Sequence, residues 1–382
     1  LRLEQEGRTV TLGPTQVRVE QFAMTPRGTL ADLAVTANAV RFSAAWPASD
    51  LRARVRLDGD RVRSEGSVLL GGEEAVRFAG SHTQARACGQ ATLTAQHALA
   101  TLGRRLQPRP PALAPLDLAA GAADANFEVD WCDAKVAAKG TLHLRDARIG
   151  WEKAQAQGVQ AALQLDGWQP LRGSIQLSAT QGQLATGSEL GNLGLDLALT
   201  EDALQIRTLH LDLFGGAVHS APITLPWPPT GQPLPLAIEQ IDLGQLLDVL
   251  KVSGLSGSGR LDGVLPFAYR DGALEVRDGR LNSTGGGTLK YAPAQVIADN
   301  PGLQALRNLH FQKLDMRLNY ASNGAYRTES VLEGSNPDFY DGYPIRFSLN
   351  INGELPGLFR SALFSGDFNR HILEQLQSGK LQ

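Results

Sequence analysis

Several common function classes need features that this sequence holds in short supply. There are 2 cysteines in 382 residues, too few for a disulfide-rich scaffold or a four-thiolate zinc site. Lys and Arg number 36 against 39 Asp and Glu, a formal net charge of -3. Without a cationic excess to neutralise phosphates, nucleic acid is a poor partner. No apolar run reaches the roughly 18 residues of a membrane-spanning helix. The opening residues LRLEQEGRTV have neither the basic start nor the apolar centre of a signal peptide. The chain also opens without a methionine, which reads as a fragment whose natural N-terminus lies elsewhere. Aromatics are only 6% of the residues. That is few for a sugar cleft built on aromatic platforms, whereas an aliphatic surface suits acyl chains.

Reaction chemistry is equally scarce. His82, His97, His143, His210, His219, His310 and His371 show no HExxH or other ligand spacing, so no metal or cofactor is expected. GLSGSG at 254–259 fits neither the nucleophile elbow, the phosphate loop nor the dinucleotide fingerprint, and reads as a turn before a strand over 259–267. Gly285-Gly286-Gly287 has no following helix with a lysine, so it reads as a turn or bulge. Asp338 and Asp341, in the aromatic-flanked loop NPDFYDGYP, are the best acids for a glycosidase pair, but turn chemistry accounts for them more simply.

What the chain has in quantity is two-residue alternation. In DLRARVRLDGD, Leu51, Ala53, Val55 and Leu57 face one way and Arg52, Arg54 and Arg56 the other, the mark of a half-buried antiparallel strand. The pattern recurs at Leu33, Val35 and Ala37; at Phe127, Val129 and Trp131; at Val159 to Leu165; and at Leu193 to Leu199. Between Ile206 and Leu209 the parity slips, which predicts a turn or a bulge. Leu314 to Tyr320, then Ser322-Asn323-Gly324, then Tyr326 to Ser330 predict a hairpin. Gly 41 and Pro 20 punctuate these segments.

Helical spacing is confined to 97–107, 241–253, the stretch PAQVIADNPGLQALRNL and the terminal DFNRHILEQLQ, which Asp367 can cap. A short Leu-rich helix followed by a Gly-spaced strand occurs at 97–131 and again from 243, a faint internal repeat. Proline clusters at 108–115 and 226–235 suggest sub-segments 1–107, 116–225 and 236–382 within one elongated unit of 1–382. Cys88 and Cys132 flank the first cluster in segments that read as neighbouring strands. In an oxidising compartment they would pair and point to a periplasmic or secreted address; otherwise they are two separate buried thiols.

The fold class is therefore all-β: a long, curved, mostly antiparallel sheet with a few short helices, including a C-terminal one. About twenty strands at roughly 4.8 Å spacing would extend some 90–100 Å. So few helices cannot cover the apolar face of so many strands. The sheet must close on itself, cover a partner, or curl into an open U-shaped trough that binds something greasy.

The segment IDLGQLLDVLKVSGLSGSGRLDGVLPFAYRDGALEVRDGRLNSTGGGTLKY and the terminal LFRSALFSGDFNRHILEQLQSG resemble the C-terminal region of the YdbH group of AsmA-like envelope proteins, whose domain is sometimes labelled dicarboxylate transport. The resemblance is most specific over 239–382. It implies a non-enzymatic, periplasmic bridge related in type to TamB and YhdP, anchored in the inner membrane by residues absent here. Such a bridge would carry phospholipids between the two membranes along a hydrophobic β-groove, with acyl chains as ligand and a small outer-membrane lipoprotein as partner. The dicarboxylate label fits poorly, since no cluster of arginines stands ready for two carboxylates.

On this reading the groove candidates are Leu163, Leu165, Ile175, Leu177, Leu195, Leu197, Leu199, Leu211, Leu213, Leu318, Phe347, Leu349 and Ile351. The strand Pro344, Ile345, Arg346, Phe347, Ser348, Leu349, Asn350 and Ile351 is the edge to which the lipoprotein would add a strand, unless the terminal helix caps it. The alternative is a closed β-scaffold or assembly factor for outer-membrane protein biogenesis that carries no lipid. A carbohydrate-active enzyme is a third reading.

Overall fold

The computed structural model describes residues 2–5, 8–26, 28–41, 47–106, 114–133, 135–227, 231–250, 253–270, 273–292 and 304–354. Among them the chain is all-β: twenty-two strands belong to antiparallel sheet, accompanied by two short helices and a two-stranded hairpin, β1–β2. The strands are β1 (Arg2–Gln5), β2 (Arg8–Thr11), β3 (Thr15–Thr25), β4 (Gly28–Val40), β5 (Ser49–Asp58), β6 (Arg61–Leu70), β7 (Glu73–Thr83), β8 (Cys88–Ala98), β9 (Leu116–Cys132), β10 (Lys135–Trp151), β11 (Ala154–Trp168) and β12 (Leu171–Gln183). They continue as β13 (Glu189–Leu199), β14 (Ala203–Leu213), β15 (Gly216–Ser220), β16 (Ile223–Pro226), β17 (Leu234–Asp242), β18 (Leu255–Ser258), β19 (Arg260–Arg270), β20 (Ala273–Ser283), β21 (Gly287–Tyr291), β22 (Leu309–Tyr320), β23 (Ala325–Ser335) and β24 (Ile345–Glu354). The helices are α1 (Leu99–Arg105) and α2 (Leu243–Leu250).

The chain divides into two compact units. The first holds residues 1–150, 156–178 and 198–201, the second 151–155, 179–197 and 202–382.

In the first unit β3 to β9 pair in sequence order, each antiparallel to the next. The alternation dictates this, because antiparallel pairing in register keeps every apolar residue on one face. β5 is the plainest case: Leu51, Ala53, Val55 and Leu57 are half-buried while Arg52, Arg54 and Arg56 are exposed. The polar face is laced by cross-strand ion pairs such as Arg56–Asp32 at 3.6 Å and Lys139–Glu128 at 2.9 Å, each worth little in water. Buried positions gather toward the strand ends near α1, at Leu69, Ala75, Leu99 and Ala123. The expected helix over 97–107 begins later, because His97 and Ala98 still pair with Ala123 and Ala122 in the ladder. Cys88 and Cys132 are opposed across β8 and β9 and are joined by a disulfide.

The second unit has a filled core. Val218, Ile238, Ile241, Leu261, Val276, Leu281, Leu314, Met316 and Leu332 come from the sheet; Leu243, Leu247 and Leu250 come from α2, and Leu255 and Leu289 from the short pair β18–β21. Helix α2 starts where Asp242 Oδ1 accepts the Gln245 amide at 3.0 Å, an N-cap interaction. It ends where the buried Tyr326 hydroxyl donates to the Leu250 carbonyl at 2.9 Å. Both helices are inserted between strands that pair with each other, α1 between β8 and β9 and α2 between β17 and β19. The faint repeat in the sequence has this common plan.

Two expectations are corrected here. GLSGSG is not wholly a turn: Leu255–Ser258 forms β18 and pairs with β21. Gly259 serves a close approach, since the Phe311 ring lies 3.0 Å from where its Cβ would be, and Gly287 on β21 lies under the same ring. The parity slip lies within β14 and is not a turn: 203–206 pair with β16 and 209–213 with β15 in one continuous register. Arg207 and Thr208, both exposed, mark the handover. The hairpin expected at 322–324 joins β22 to β23, with Leu318 opposite Thr328 and Met316 opposite Ser330. In PAQVIADNPGLQALRNL only a 3-10 turn over Leu306–Asn308 and the two residues before it are described. The terminal helix expected from Asp367 lies outside the described residues.

Fully buried Phe311 and half-buried Leu93 should separate the two units energetically. Phe311→Ala is expected to cost about 3–5 kcal/mol and Leu93→Ala about 1–2 kcal/mol in urea unfolding. Tyr326→Phe should cost about 1–2 kcal/mol by orphaning the Leu250 carbonyl. Burial raises the Tyr326 phenol above its ordinary value, so this stability should be complete below pH ~10 and fall as pH rises through the folded-state value. Unfolding midpoints measured from pH 7 to 11 test that sign.

Candidate functional site

The feature of the first unit most suited to binding is its apolar face. Register pairs carry one row from strand to strand: Val17 to Val35, Val35 to Ala53, Ala53 to Gly66, Gly66 to Phe78, Phe78 to Leu93 and Leu93 to Phe127. A second row runs Val19, Leu33, Val55, Ser64, Gly80, Ala91 and Val129. Apart from Val17 and Val19, which are exposed, the members of both rows are half-buried. A face packed under a second layer would be buried, so these side chains keep contact with solvent.

Glycine decides how large side chains fit there. A Cβ on Gly66 would stand 2.9 Å from the Phe78 ring, so the ring lies over the glycine and the row stays level. Farther along the strands, Trp131 stacks on His82, with ring centroids 6.1 Å apart, and donates its indole N–H to His82 Nδ1 at 3.1 Å. The indole's polar atom is thereby satisfied on an otherwise greasy surface.

The same strands also border a hollow. It has a volume of about 540 Å³ and is lined across β4 to β8 by polar residues including Thr36, Arg52, Arg54, Glu65, Arg77 and Thr94 together with Val35, Ala53, Gly66 and Phe78 of the first row. Arg77 in this hollow is already paired with Glu74 at 2.8 Å. The Ser67 hydroxyl and Arg77 both hold the Glu74 carboxyl below its ordinary range.

All thirteen groove candidates fall on strands. Leu163 and Leu165 are on β11, Ile175 and Leu177 on β12, and Leu195, Leu197 and Leu199 on β13; each is half-buried. Leu211 and Leu213 on β14 and Phe347 and Leu349 on β24 pack against the filled core of the second unit, and Ile351 is buried within it. Leu318 shares a register row with Thr328 and Ile351. The candidates thus divide between half-buried positions with solvent access and positions covered by packing. Leu33, Val35, Val55, Phe78, Leu93, Phe127 and Val129 in the first unit were not among the candidates. Their alternation was visible, but nothing local distinguishes an open apolar face from a covered one.

Of the edge expected at 344–351, Ile345 to Ile351 form most of β24 and pair with β23, while Pro344 precedes the strand. Asp338 and Asp341 make turn contacts: Asp338 accepts from Asn308 Nδ2 at 2.8 Å, and Asp341 has φ 51°. Among the described residues no cluster of His, Cys, Asp or Glu is arranged to hold a metal, and no helix is long and apolar enough to cross a membrane.

The model of the YdbH-like family, described as intermembrane phospholipid transport protein YdbH, matches residues 5–377. The chain belongs to that family. No curated protein and no solved structure matches it.

An exposed apolar floor should bind a hydrophobic dye in the native state. Phe78→Lys and Leu93→Lys are each expected to lower fluorescence-detected dye binding roughly five-fold, while Leu250→Ala, in the filled core, leaves it unchanged at matched folded concentrations.

Proposed function

We propose that the apolar face carries phospholipid acyl chains, as one stretch of a periplasmic route between the inner and outer membranes. The observation that supports this most is the pair of half-buried apolar rows running across β4 to β9, in a chain whose family is described by intermembrane phospholipid transport. Each methylene removed from water is worth about 0.8 kcal/mol, so a chain of some 16 carbons would lose roughly 12 kcal/mol if left bare. A lipid therefore needs an unbroken greasy path. Uniform aliphatic lining makes successive positions nearly equal in energy, and chains can slide while the headgroup stays in water.

In this reading the protein is not an enzyme. Leu163, Leu165, Ile175, Leu177 and Leu199 add to the lining of the first unit, and Leu195 and Leu197 line the second. The full-length protein is anchored in the inner membrane, and a small outer-membrane lipoprotein adds a strand to β24 along Ile345 to Ile351. The structural support for that edge is its alternation, with Ile345, Phe347 and Leu349 half-buried and Arg346, Ser348 and Asn350 exposed.

The filled core of the second unit favours a second reading, a protein-binding scaffold for outer-membrane protein assembly. Native mass spectrometry of gently purified protein, with lipid extraction, separates the two. Transport predicts bound phospholipid that is lost in Leu197→Asp while the circular dichroism spectrum is kept. A well-folded, lipid-free wild type would favour the scaffold.

A further inference from the structure

We propose that the polar face of β5 to β7, on the other side of the sheet from the apolar rows, binds a phosphate-bearing ligand. These strands are flanked by β4 and β8, with which they pair, so the site lies inside the sheet and not at its rim. Register gathers charges that the sequence keeps apart. Arg52 stands opposite Ser67 and Ser67 opposite Arg77; Arg54 opposite Glu65 and Glu65 opposite Ala79; Arg56 opposite Arg63 and Arg63 opposite Ser81. These nine positions hold five arginines and one carboxylate, in a chain whose formal net charge is -3. All five arginines and Glu65 are exposed.

Two of the five are compensated from outside this block: Asp32 lies 3.6 Å from Arg56 and Glu74 2.8 Å from Arg77. Among the described residues Arg52, Arg54 and Arg63 make no ion pair. Arg56 and Arg63 are like charges directly opposed, a pairing that costs the sheet stability. Farther across the same face, charges meet in opposite sign, as in Lys139–Glu128 and Arg145–Asp124. An oxyanion among the guanidiniums removes the cost. The residue type fits as well. β5 to β7 contain no lysine, and the planar fork of arginine gives a phosphate two parallel hydrogen bonds where an ammonium gives a point charge. Side chains two residues apart on a strand stand about 7 Å apart, so one phosphate is within reach of Arg52 and Arg54 together. Both border the hollow of about 540 Å³, and the short side chains of Ala34, Ser67 and Ala79 beside them leave room for the rest of the ligand. Three uncompensated arginines against one glutamate leave an excess of two positive charges. A phosphate monoester carries nearly that charge with the opposite sign, and a carboxylate half of it. Because the site is on the opposite face, it stands whether or not the apolar rows carry acyl chains.

Titration of the 382-residue chain with inorganic phosphate, followed by phosphorus NMR line broadening, should reach half-saturation at roughly 1 mM in low salt and weaken as salt is added. Arg52→Gln and Arg54→Gln should each weaken binding about ten-fold. Arg63→Gln should weaken it too while keeping or raising the melting temperature, since it relieves the opposed pair; a merely structural arginine would lower that temperature. Arg327→Gln, the same charge change on β23, should leave phosphate binding unchanged. Vesicles of phosphatidylglycerol separate the two sources of phosphate. Cosedimentation that free phosphate reverses assigns the site to lipid headgroups, and phosphate binding without cosedimentation assigns it to a soluble phosphate ester. No saturable phosphate binding up to about 20 mM overturns the proposal. So does binding that Arg52→Gln and Arg54→Gln leave intact, or succinate binding as tightly as phosphate.

Discussion

The antiparallel hydrogen-bond ladder is the constraint from which the rest follows. Because a strand's side chains alternate with a period of two, in-register pairing converts one-dimensional alternation into two-dimensional rows. Each row in the first unit is a chain of such pairings, from Val17 to Phe127 in one case. Rows rather than single residues are therefore the units on which binding and packing act. A slip of one residue anywhere would turn arginines such as Arg52 and Arg54 onto the greasy side.

The two units meet the same constraint differently. In the second, α2 and the β18–β21 pair cover the face, and residues such as Leu261, Phe311 and Leu332 are almost wholly buried. In the first, the rows keep residual exposure and α1 is the one α-helix among the described residues. A covered face contributes stability; an uncovered one leaves that free energy available to a ligand. The hydrophobic effect is the same in both cases, and what differs is whether the chain or something else does the covering.

Much of this was legible beforehand, for a physical reason. Alternation such as Leu51 to Leu57 reports a one-sided strand directly, and Asn323-Gly324 reports a hairpin. What escaped depended on distant partners. The strand at 255–258 is too short and too rich in glycine to carry alternation; it becomes a strand by pairing with β21, more than two dozen residues later in sequence. The slip at 206–209 was visible, but the strands that pair on either side of it, β16 and β15, both follow it in the chain. The groove candidates were chosen by parity, and parity gives the face. Whether that face is covered, as it is by the core where Phe347 and Leu349 pack against it, is a property of the assembled unit.

Cys88 and Cys132 stand opposite each other at the ends of β8 and β9 that are farthest, along the chain, from the α1 insertion. The bond closes a covalent loop that contains both strands, the helix and the connection between them. Backbone continuity through that connection is therefore not needed to keep the two strands side by side. A cut between α1 and β9 would yield two polypeptides under reducing denaturation yet one molecule otherwise, with the rows from Phe78 to Phe127 still in step. The connection is thus free to vary in length and composition without loss of registration in the sheet.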